Sequence, residues 1–312
     1  MIASCGKDYD HYSVNITGVD TTWKSPTSIN TDLQKLFSDI AVTPLIMDVN
    51  DISNLDTLFF PGPAVLMIPA HSCNNPGGAA AVGTAKVELT LLHTKGEFIR
   101  SSKPTCIEHA PVLTKIIANV RILQNGSELQ LKAGNSIVVS VTDPYPVSNL
   151  KTFYAEPLAP NRPYIDWTPA SDGSLVSPFT RPVPGMTGQY LTGYDLKLAQ
   201  LRWMNCGSFG DTSSHDQMSV TLPLTFTNAN TAVFIVPRDL PTVIQMDAES
   251  RHQYFRTDKM PDGQSLKAVS ISYVNGEYYV GSTDATSSEG LNVVVKPEKT
   301  TLEGLLTFLK GL

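Results

Sequence analysis

The cysteines of this sequence have the widest chemical range of its side chains, because a thiol can bind a metal, form a disulfide or accept a lipid. Cys206 stands close to Trp203 and is interpreted as a small core residue. The spacing contains no C-x-x-C pair and no histidine doublet, so it predicts no zinc site. The four cysteines are Cys5, Cys73, Cys106 and Cys206.

Cys73 and Cys106 each have a histidine nearby in the sequence, His71 and His109, and the four side chains could approach one another in the fold. A disulfide between Cys73 and Cys106 is the simplest use of the pair in an oxidising compartment. The alternatives are a metal ion held by the four side chains and a pair of buried free thiols.

Residues 213–216, Ser-Ser-His-Asp, bring together the side chains of a hydrolase. A catalytic triad draws these residues from distant segments, because neighbours cannot align as nucleophile, base and orienting group. The sequence also lacks a G-x-S-x-G turn, since residues 207–210 have a different spacing. We therefore interpret 213–216 as a solvated loop and predict no catalytic residue.

A cluster of oxygen-bearing side chains lies before one of the apolar runs and could hold Ca²⁺. It lacks the glycine and the terminal glutamate of an EF-hand loop. A polar turn before a strand is the interpretation that its spacing favours, so no metal and no cofactor is predicted. The cluster consists of Asp48, Asn50, Asp51, Ser53, Asn54 and Asp56.

Aromatic side chains are the remaining candidates for binding, by stacking on a sugar or a peptide. In β-proteins such side chains are more often core residues or cross-strand pairs. Trp167 is the best candidate for an exposed stacking residue, because its proline-rich surroundings offer few core partners. The set comprises Trp23, Trp167, Tyr190, Tyr194, Tyr273, Tyr278 and Tyr279.

The segment Ile2-Ala3-Ser4-Cys5 resembles the lipobox at which bacterial lipoprotein signal peptides are cut. In a lipobox, an aliphatic residue and two small residues precede the cysteine that receives the lipid. Cys5 is therefore the predicted lipid-attachment residue. The charged and apolar regions of a signal peptide are missing from the four residues before Cys5, so an ordinary thiol and a different start remain alternatives.

Composition favours an exported, mainly β protein. The chain has 312 residues, of which 41% are hydrophobic and 17% are charged, and its net charge is −6. This length predicts two domains. The negative charge, without a run of Lys or Arg, argues against a nucleic-acid partner. No stretch approaches the length of apolar residues that a membrane-spanning helix needs.

Alternating polar and apolar residues predict strands, for example over 86–91 and 137–141. Asn125-Gly126 and Asn275-Gly276 each separate two such runs and predict two-residue hairpin turns, because Asn and Gly tolerate positive φ. A short helix is expected within 29–38, and apolar residues at helical spacing predict another over 302–309.

The predicted fold is mainly β, with two tandem antiparallel β-sandwich-like domains and a short C-terminal helix. Residues 1–30 are interpreted as a lipoprotein-type N-terminus and tether. Residues 31–146 form the first predicted sandwich and 147–312 the second, with the terminal helix. The boundary is placed at Asp143-Pro144-Tyr145-Pro146, where two prolines interrupt the strand pattern.

Several short motifs together resemble a family of uncharacterised Bacteroidota surface lipoproteins with a ZU5-like β-sandwich domain. The first sandwich, 31–146, is then ZU5-like. The resemblance covers most of residues 60–312. The motifs are the apolar run 64–70 ending in Ile-Pro-Ala, the strand 83–89, Lys103-Pro104-Thr105, residues 129–134, Leu201-Arg202-Trp203-Met204-Asn205-Cys206, and the closing helix from Thr301.

The resemblance implies a non-catalytic exported lipoprotein, anchored in the cell envelope and most simply in the outer membrane. It would act as a structural or binding module for a protein or a glycan. A secreted hydrolase or glycan-processing enzyme, with a site built from scattered residues, is the alternative. A subunit of a larger envelope assembly is a third interpretation, and it would show a contiguous apolar patch on one sheet face.

Some ZU5-related domains cut themselves at a His-aromatic-Ser tripeptide, and His11-Tyr12-Ser13 has that form. Self-cleavage needs a strained, folded turn and an activated serine. The tripeptide lies in the predicted tether, outside the segment that resembles the domain. A coincidental match is therefore the favoured interpretation.

Overall fold

The computed structural model describes residues 22–24, 31–62, 64–107, 110–156, 165–183, 185–210 and 216–312. The first elements are α1 (Thr31–Ile40), β1 (Leu45–Val49), β2 (Asp56–Phe59), β3 (Ala64–Ile68), β4 (Cys73–Asn74), β5 (Ala85–Leu92), α2 (Lys95–Arg100), β6 (Cys106–Ile107), β7 (Ala110–Gln124), β8 (Ser127–Glu128), β9 (Gln130–Leu131) and β10 (Ile137–Thr142). They are followed by β11 (Lys151–Ala155), β12 (Trp167–Pro169), β13 (Leu175–Pro182), β14 (Tyr190–Leu198), β15 (Met204–Phe209), β16 (Asp216–Thr221), β17 (Thr231–Pro237), β18 (Ile244–Gln245), β19 (Asp247–Glu249), β20 (Tyr254–Met260), β21 (Ser265–Val274), β22 (Glu277–Thr286), β23 (Asn292–Val294), β24 (Glu298–Thr300) and α3 (Leu302–Lys310).

The chain is mainly β, with antiparallel sheets and a short C-terminal helix, which confirms the predicted fold class. Alternation explains the layers: in β10, for instance, every second side chain is buried, from Ile137 to Val141. Each sheet therefore has one apolar face that must pack against another layer. Among the described strands, β16 and β23 form a parallel pair, unlike their antiparallel neighbours.

The first sandwich consists of an eight-stranded and a five-stranded sheet. The main path of the eight-stranded sheet is β1-β5-β7-β15-β11-β12, and the five-stranded sheet has the order β13-β14-β10-β3-β2. Buried apolar side chains from both sheets, such as Val87 and Val139, meet in one core. We call this cluster the first core.

The predicted domain boundary at 143–146 is wrong, because the strands that follow it complete the first sandwich. β14 pairs with β10, with Ile137 opposite Leu198 and Thr142 opposite Gly193. β15 pairs with β7, and β11 pairs with β15. The two prolines therefore mark a loop within the first sandwich, and the change to the second sandwich falls between β15 and β16.

The second sandwich consists of a four-stranded sheet, β19-β20-β16-β23, and a five-stranded sheet, β18-β17-β21-β22-β24. Its core includes Val220 and Phe255 from the smaller sheet and Ile235 and Ala268 from the larger one. We call it the second core. β17 is buried along its whole length, from Thr231 to Pro237, so both faces of its sheet are covered.

A third apolar cluster, the interdomain core, joins the two sandwiches. It contains Ile117 and Phe153 of the eight-stranded sheet together with Phe234 and Ile271 of the second sandwich. The sandwiches are therefore packed against each other through apolar side chains. The helices contribute Leu36, Ile40, Phe98, Ile99, Leu305 and Leu309.

The predicted hairpins and helices are present. Asn125, Gly126, Asn275 and Gly276 all have positive φ, between 49° and 84°, and each pair closes a two-residue turn between paired strands. The predicted helix within 29–38 corresponds to α1, and the one over 302–309 corresponds to α3. None of the helices in the described part of the chain is long and apolar enough to cross a bilayer.

Candidate functional site

Cys73 and Cys106 are not joined by a disulfide, so the predicted pairing of these two residues is wrong. Cys73 is buried in the first core, whereas Cys106 is buried in the second core. The strand that carries Cys106 reaches the second sandwich, so the two thiols face different interiors. Cys206 is fully buried in the first core, which confirms its interpretation as a core residue. Burial raises the pKa of the Cys73 and Cys206 thiols.

Cys5, the predicted lipid-attachment residue, lies outside the residues that the structure describes. The same holds for His11-Tyr12-Ser13, for Ser213-Ser214-His215 and for His109. Within the described ranges, no group of His, Cys, Asp and Glu side chains is arranged to hold a metal ion.

Asp51, from the cluster considered for Ca²⁺, has a structural role. Its Oδ1 atom accepts hydrogen bonds from the backbone N–H of Gly83 at 2.8 Å and of Ser53 at 3.0 Å. These bonds, that of Gly83 first, lower the pKa of the Asp51 carboxyl group. Asp51 therefore ties the turn after β1 to the start of β5, which confirms a polar turn at this place.

The prediction that Trp167 is an exposed stacking residue is wrong, because its side chain is 1% exposed. Trp167 belongs to the interdomain core, and its Nε1–H donates to the carbonyl oxygen of Pro104 at 2.7 Å. Trp167 is the first residue of β12, which pairs with β11. This pairing buries the indole ring although the surrounding segment is rich in proline. A buried indole that has found its hydrogen-bond partner is a core residue.

The other aromatic candidates are mostly covered too. Tyr190 is 65% exposed and Tyr194 is fully buried. Trp23 packs against Phe255, and Tyr273 packs against Tyr278, with ring centroids 5.1 Å apart in each case. Cross-strand and core pairing therefore accounts for most of this set, as β-proteins lead one to expect.

Two motifs quoted from the sequence meet in the structure: Lys103-Pro104-Thr105 and the segment around Trp203. The Lys103 Nζ atom lies 4.6 Å from the centre of the Trp203 ring. Pro104 accepts the hydrogen bond from Trp167. Thr105 connects to the second sandwich, since its N–H donates to Val243 O at 2.7 Å and its Oγ1 accepts from Val243 N at 2.7 Å. We call residues 103–105 the junction segment.

Lys103 is an ammonium group held inside the protein. Its side chain is 8% exposed, and Nζ donates one hydrogen bond, to Ser101 O at 2.8 Å. No carboxylate of the described residues forms an ion pair with it. Desolvation consequently lowers the pKa of Lys103 to about 8. In the sequence, Lys103 was noted only as part of the motif Lys103-Pro104-Thr105. A single lysine beside a proline does not indicate that its side chain is buried.

Asn205 is a second unusual polar group on the same side of the eight-stranded sheet. Its neighbours in sequence, Met204 and Cys206, point into the first core, so the alternation of β15 turns Asn205 the other way. Its cross-strand neighbours are Ile117 and Phe153, both members of the interdomain core. The Asn205 amide is fully buried, and neither Oδ1 nor Nδ2 has a hydrogen-bond partner among the described residues.

The outward face of the five-stranded sheet of the first sandwich carries apolar side chains where polar ones are usual. Phe59 is 70% exposed and Met67 46% exposed, and the register places both on this face. Across the sheet, Met67 is opposite Val138, which faces outward because Ile137 and Val139 are buried. We call the set Phe59, Val65, Met67 and Val138 the outer apolar face.

The outer apolar face is bordered by a polar cluster on β13 and β14. The Arg181 guanidinium stacks on the Phe179 ring at 4.2 Å and forms an ion pair with Asp195. Ser140 Oγ donates to the Asp195 carboxylate at 2.6 Å. A rim of paired charges beside an apolar centre is the arrangement of many protein interfaces.

The sequence contained a signal for this face that strand alternation alone did not reveal. β3 reads Ala64-Val65-Leu66-Met67-Ile68, which is apolar at every position. Such a run indicates either burial on both faces or an apolar exposed face. In the structure Ala64, Leu66 and Ile68 are buried, while Met67 is exposed.

His252 lies on the surface of the second sandwich. Its side chain is 68% exposed and is 3.9 Å from Glu249. The ring stacks on Tyr254 with centroids 5.9 Å apart.

Comparisons with models of protein families, with curated proteins and with solved structures find no match to this chain.

Proposed function

We propose that this protein is a non-catalytic structural or binding module of the cell envelope, anchored through a lipid on Cys5, and that it docks a protein partner on the outer apolar face. The observation that carries the proposal is the exposure of Phe59 and Met67 on one sheet face, beside the half-buried Val65. Apolar side chains that are grouped on a surface, rather than scattered, mark interaction sites.

The composition and the motifs support the envelope location. A low charge fraction of 17% is typical of exported β-proteins, and the segment ending at Cys5 resembles a lipobox. The ordered motifs resemble ZU5-like surface lipoproteins, for which no reaction is implied. Together they favour a passive module over the alternative of a secreted hydrolase.

A protein is a better occupant of the outer apolar face than a glycan. Its exposed residues are aliphatic, apart from Phe59, and offer dispersion and desolvation rather than hydrogen bonds. The rim residues Arg181 and Asp195 already neutralise each other. An interface core that is poor in charge, with arginine and aromatic side chains at its border, is the usual composition of a protein interface.

We expect a photo-crosslinking amino acid at Thr57 to capture a protein partner in intact cells. Thr57 is exposed on the outer apolar face and lies opposite Met67. In the Phe59→Ser, Met67→Ser double variant the adduct should be lost, because the apolar contact is removed. These are exposed positions, so stability should change by about 0.5 kcal/mol or less per substitution. Gel shift and mass spectrometry identify the adduct.

The matched control places the crosslinker at Val294, which is 54% exposed on the second sandwich. This position should give no adduct of the same mass. Equal capture at both positions, or capture that survives the double variant, would contradict docking on the outer apolar face.

We expect mass spectrometry of the native protein to find Cys5 as the N-terminal residue and to find it carrying a diacylglycerol-type lipid. Cys5→Ser should then release the protein from the membrane fraction, because no other residue of the lipobox can form the thioether. A native chain with Met1 intact and an unmodified Cys5 would rule out the anchor.

A further inference from the structure

Near Trp203, the buried side chains of Lys103 and Asn205 form fewer hydrogen bonds with the described residues than they could. Arg202 Nε also lacks an acceptor there, but its guanidinium is paired with Glu156. The Lys103 ammonium has three N–H donors and uses one of them, for Ser101 O. The Asn205 amide uses neither its donor nor its acceptor. Burial removes each group from water, and few hydrogen bonds within the protein compensate for this. For the amide alone, the lost hydration lowers the folding stability by about 1–3 kcal/mol.

Trp203 connects these two groups. Its carbonyl oxygen accepts from Ala155 N at 3.0 Å, so it continues the ladder of β15 by one residue. Trp203 and Asn205 are two positions apart on one strand, which puts their side chains on the same face. The ring of Trp203 packs against the interdomain core, remains partly exposed and has Lys103 Nζ over it. Solvent therefore reaches the edge of this region at Trp203.

We propose that Lys103, Trp203 and Asn205 form a binding site for an organic carboxylate with an apolar body. The carboxylate accepts hydrogen bonds from Lys103 Nζ, the apolar body lies on the exposed part of Trp203, and the Asn205 amide provides the second polar contact. This site is separate from the outer apolar face and does not depend on the proposed function.

The positive charge of Lys103 and the ring of Trp203 together favour an organic carboxylate as the ligand. A buried cation without a counter-ion attracts an anion more strongly than an exposed lysine does, because water screens it less. An inorganic anion would satisfy Lys103 but would leave the indole ring uncovered. A carboxylate attached to a ring or a short chain satisfies both the ammonium and the ring.

Benzoate and benzamide form a matched pair of probes, since they share the ring and differ in charge. We expect millimolar benzoate to raise the unfolding temperature of the full chain, measured at constant ionic strength, and benzamide to have no such effect. In Lys103→Met the benzoate shift should disappear, with affinity reduced about tenfold or more. Lys197→Met, which alters an exposed lysine on another sheet, should keep the full shift.

Asn205→Leu separates a binding role from a structural one. It replaces an unsatisfied amide by an apolar side chain of similar size, so the variant should be at least as stable as the natural protein while its benzoate affinity falls. An equal benzoate shift in the natural protein and in Lys103→Met would overturn the proposal. The absence of any shift in the natural protein would overturn it as well.

Discussion

Replacing Lys103 with methionine is expected to raise the free energy of unfolding at pH 7 by about 2 to 3 kcal/mol. Burial lowers the pKa of Lys103 from 10.5 to about 8, a difference worth about 3 kcal/mol at 1.36 kcal/mol per pH unit. Loss of the hydrogen bond to Ser101 O offsets about 1 kcal/mol of this gain. Methionine fits the space of the lysine stem, because both side chains are unbranched.

The gain in Lys103→Met should depend on pH in a definite direction. Well above pH 10.5 the lysine is neutral in both the folded and the unfolded chain, so its charge no longer lowers stability. As the pH falls from 10.5 to about 8, the unfolded chain binds a proton that the folded chain does not, so the natural protein loses stability. Below about pH 8 the full cost is present.

Urea unfolding at pH 7 and pH 10 tests this prediction. The difference between Lys103→Met and the natural protein should be largest at pH 7 and should shrink towards pH 10. Lys197→Met is the control, since Lys197 is exposed, and it should change stability by about 0.5 kcal/mol or less at both values. A Lys103→Met protein that is no more stable than the natural one at pH 7 would show that the ammonium is hydrated or paired in solution.

The stability that is lost by burying Lys103 and Asn205 is an argument for a functional role of these residues. Natural proteins tend to concentrate buried unsatisfied polar groups and other departures from optimal packing at functional sites. Lys103 and Asn205 are two such departures, and both lie on the side of the eight-stranded sheet that meets the interdomain core. The cost of Lys103 can be recovered when an anion binds to it, whereas a purely structural role for the junction segment is already met by Thr105.

Local patterns predicted the elements of this fold well. The alternation over 137–141 and the Asn-Gly turns each depend on neighbouring residues, and the structure contains both. The pairing of distant strands was not predictable in the same way. Alternation shows which face of a strand is buried, but it does not identify the partner strand, so the place of β14 and β15 in the first sandwich was missed.

β13 is a strand that the local sequence pattern did not predict. Its eight residues include Pro178 and Pro182, and the region was expected to have weak structure. Proline is tolerated there because β13 is the edge strand of its sheet, where one row of N–H groups has no partner strand. The prolines are therefore compatible with an edge strand, but they do not identify the sheet to which the strand belongs.

The candidate site depends even more on long-range pairing. Lys103 and Trp203 are far apart in sequence and meet only because β15 joins β7 and the junction segment crosses to Val243. The sequence contained both motifs, but nothing in their composition indicates that they touch. The prediction for Trp167 failed for a related reason, because a proline-rich neighbourhood predicts a loop and says nothing of what packs on that loop.

Trp167→Ala is expected to lower the free energy of unfolding by about 3 to 5 kcal/mol, the usual cost of deleting a buried indole. The ring is 1% exposed, lies in the interdomain core and holds Pro104 O through Nε1. Trp167→Phe keeps much of the apolar area and loses the hydrogen bond, so it should cost about 1 to 2 kcal/mol. Far-UV circular dichroism in urea measures both without relying on the fluorescence of the residue that is removed.

Tyr145→Ala provides the comparison, because Tyr145 is 80% exposed and its loss should change stability by about 0.5 kcal/mol or less. If Trp167→Ala were no more harmful than Tyr145→Ala, the indole would be exposed in solution and would be free to stack on a ligand. If the indole is buried, Trp167→Ala should destabilise both sandwiches, because both contribute side chains to the interdomain core. Strands of the second sandwich should then melt together with those of the first, at the same lowered urea concentration.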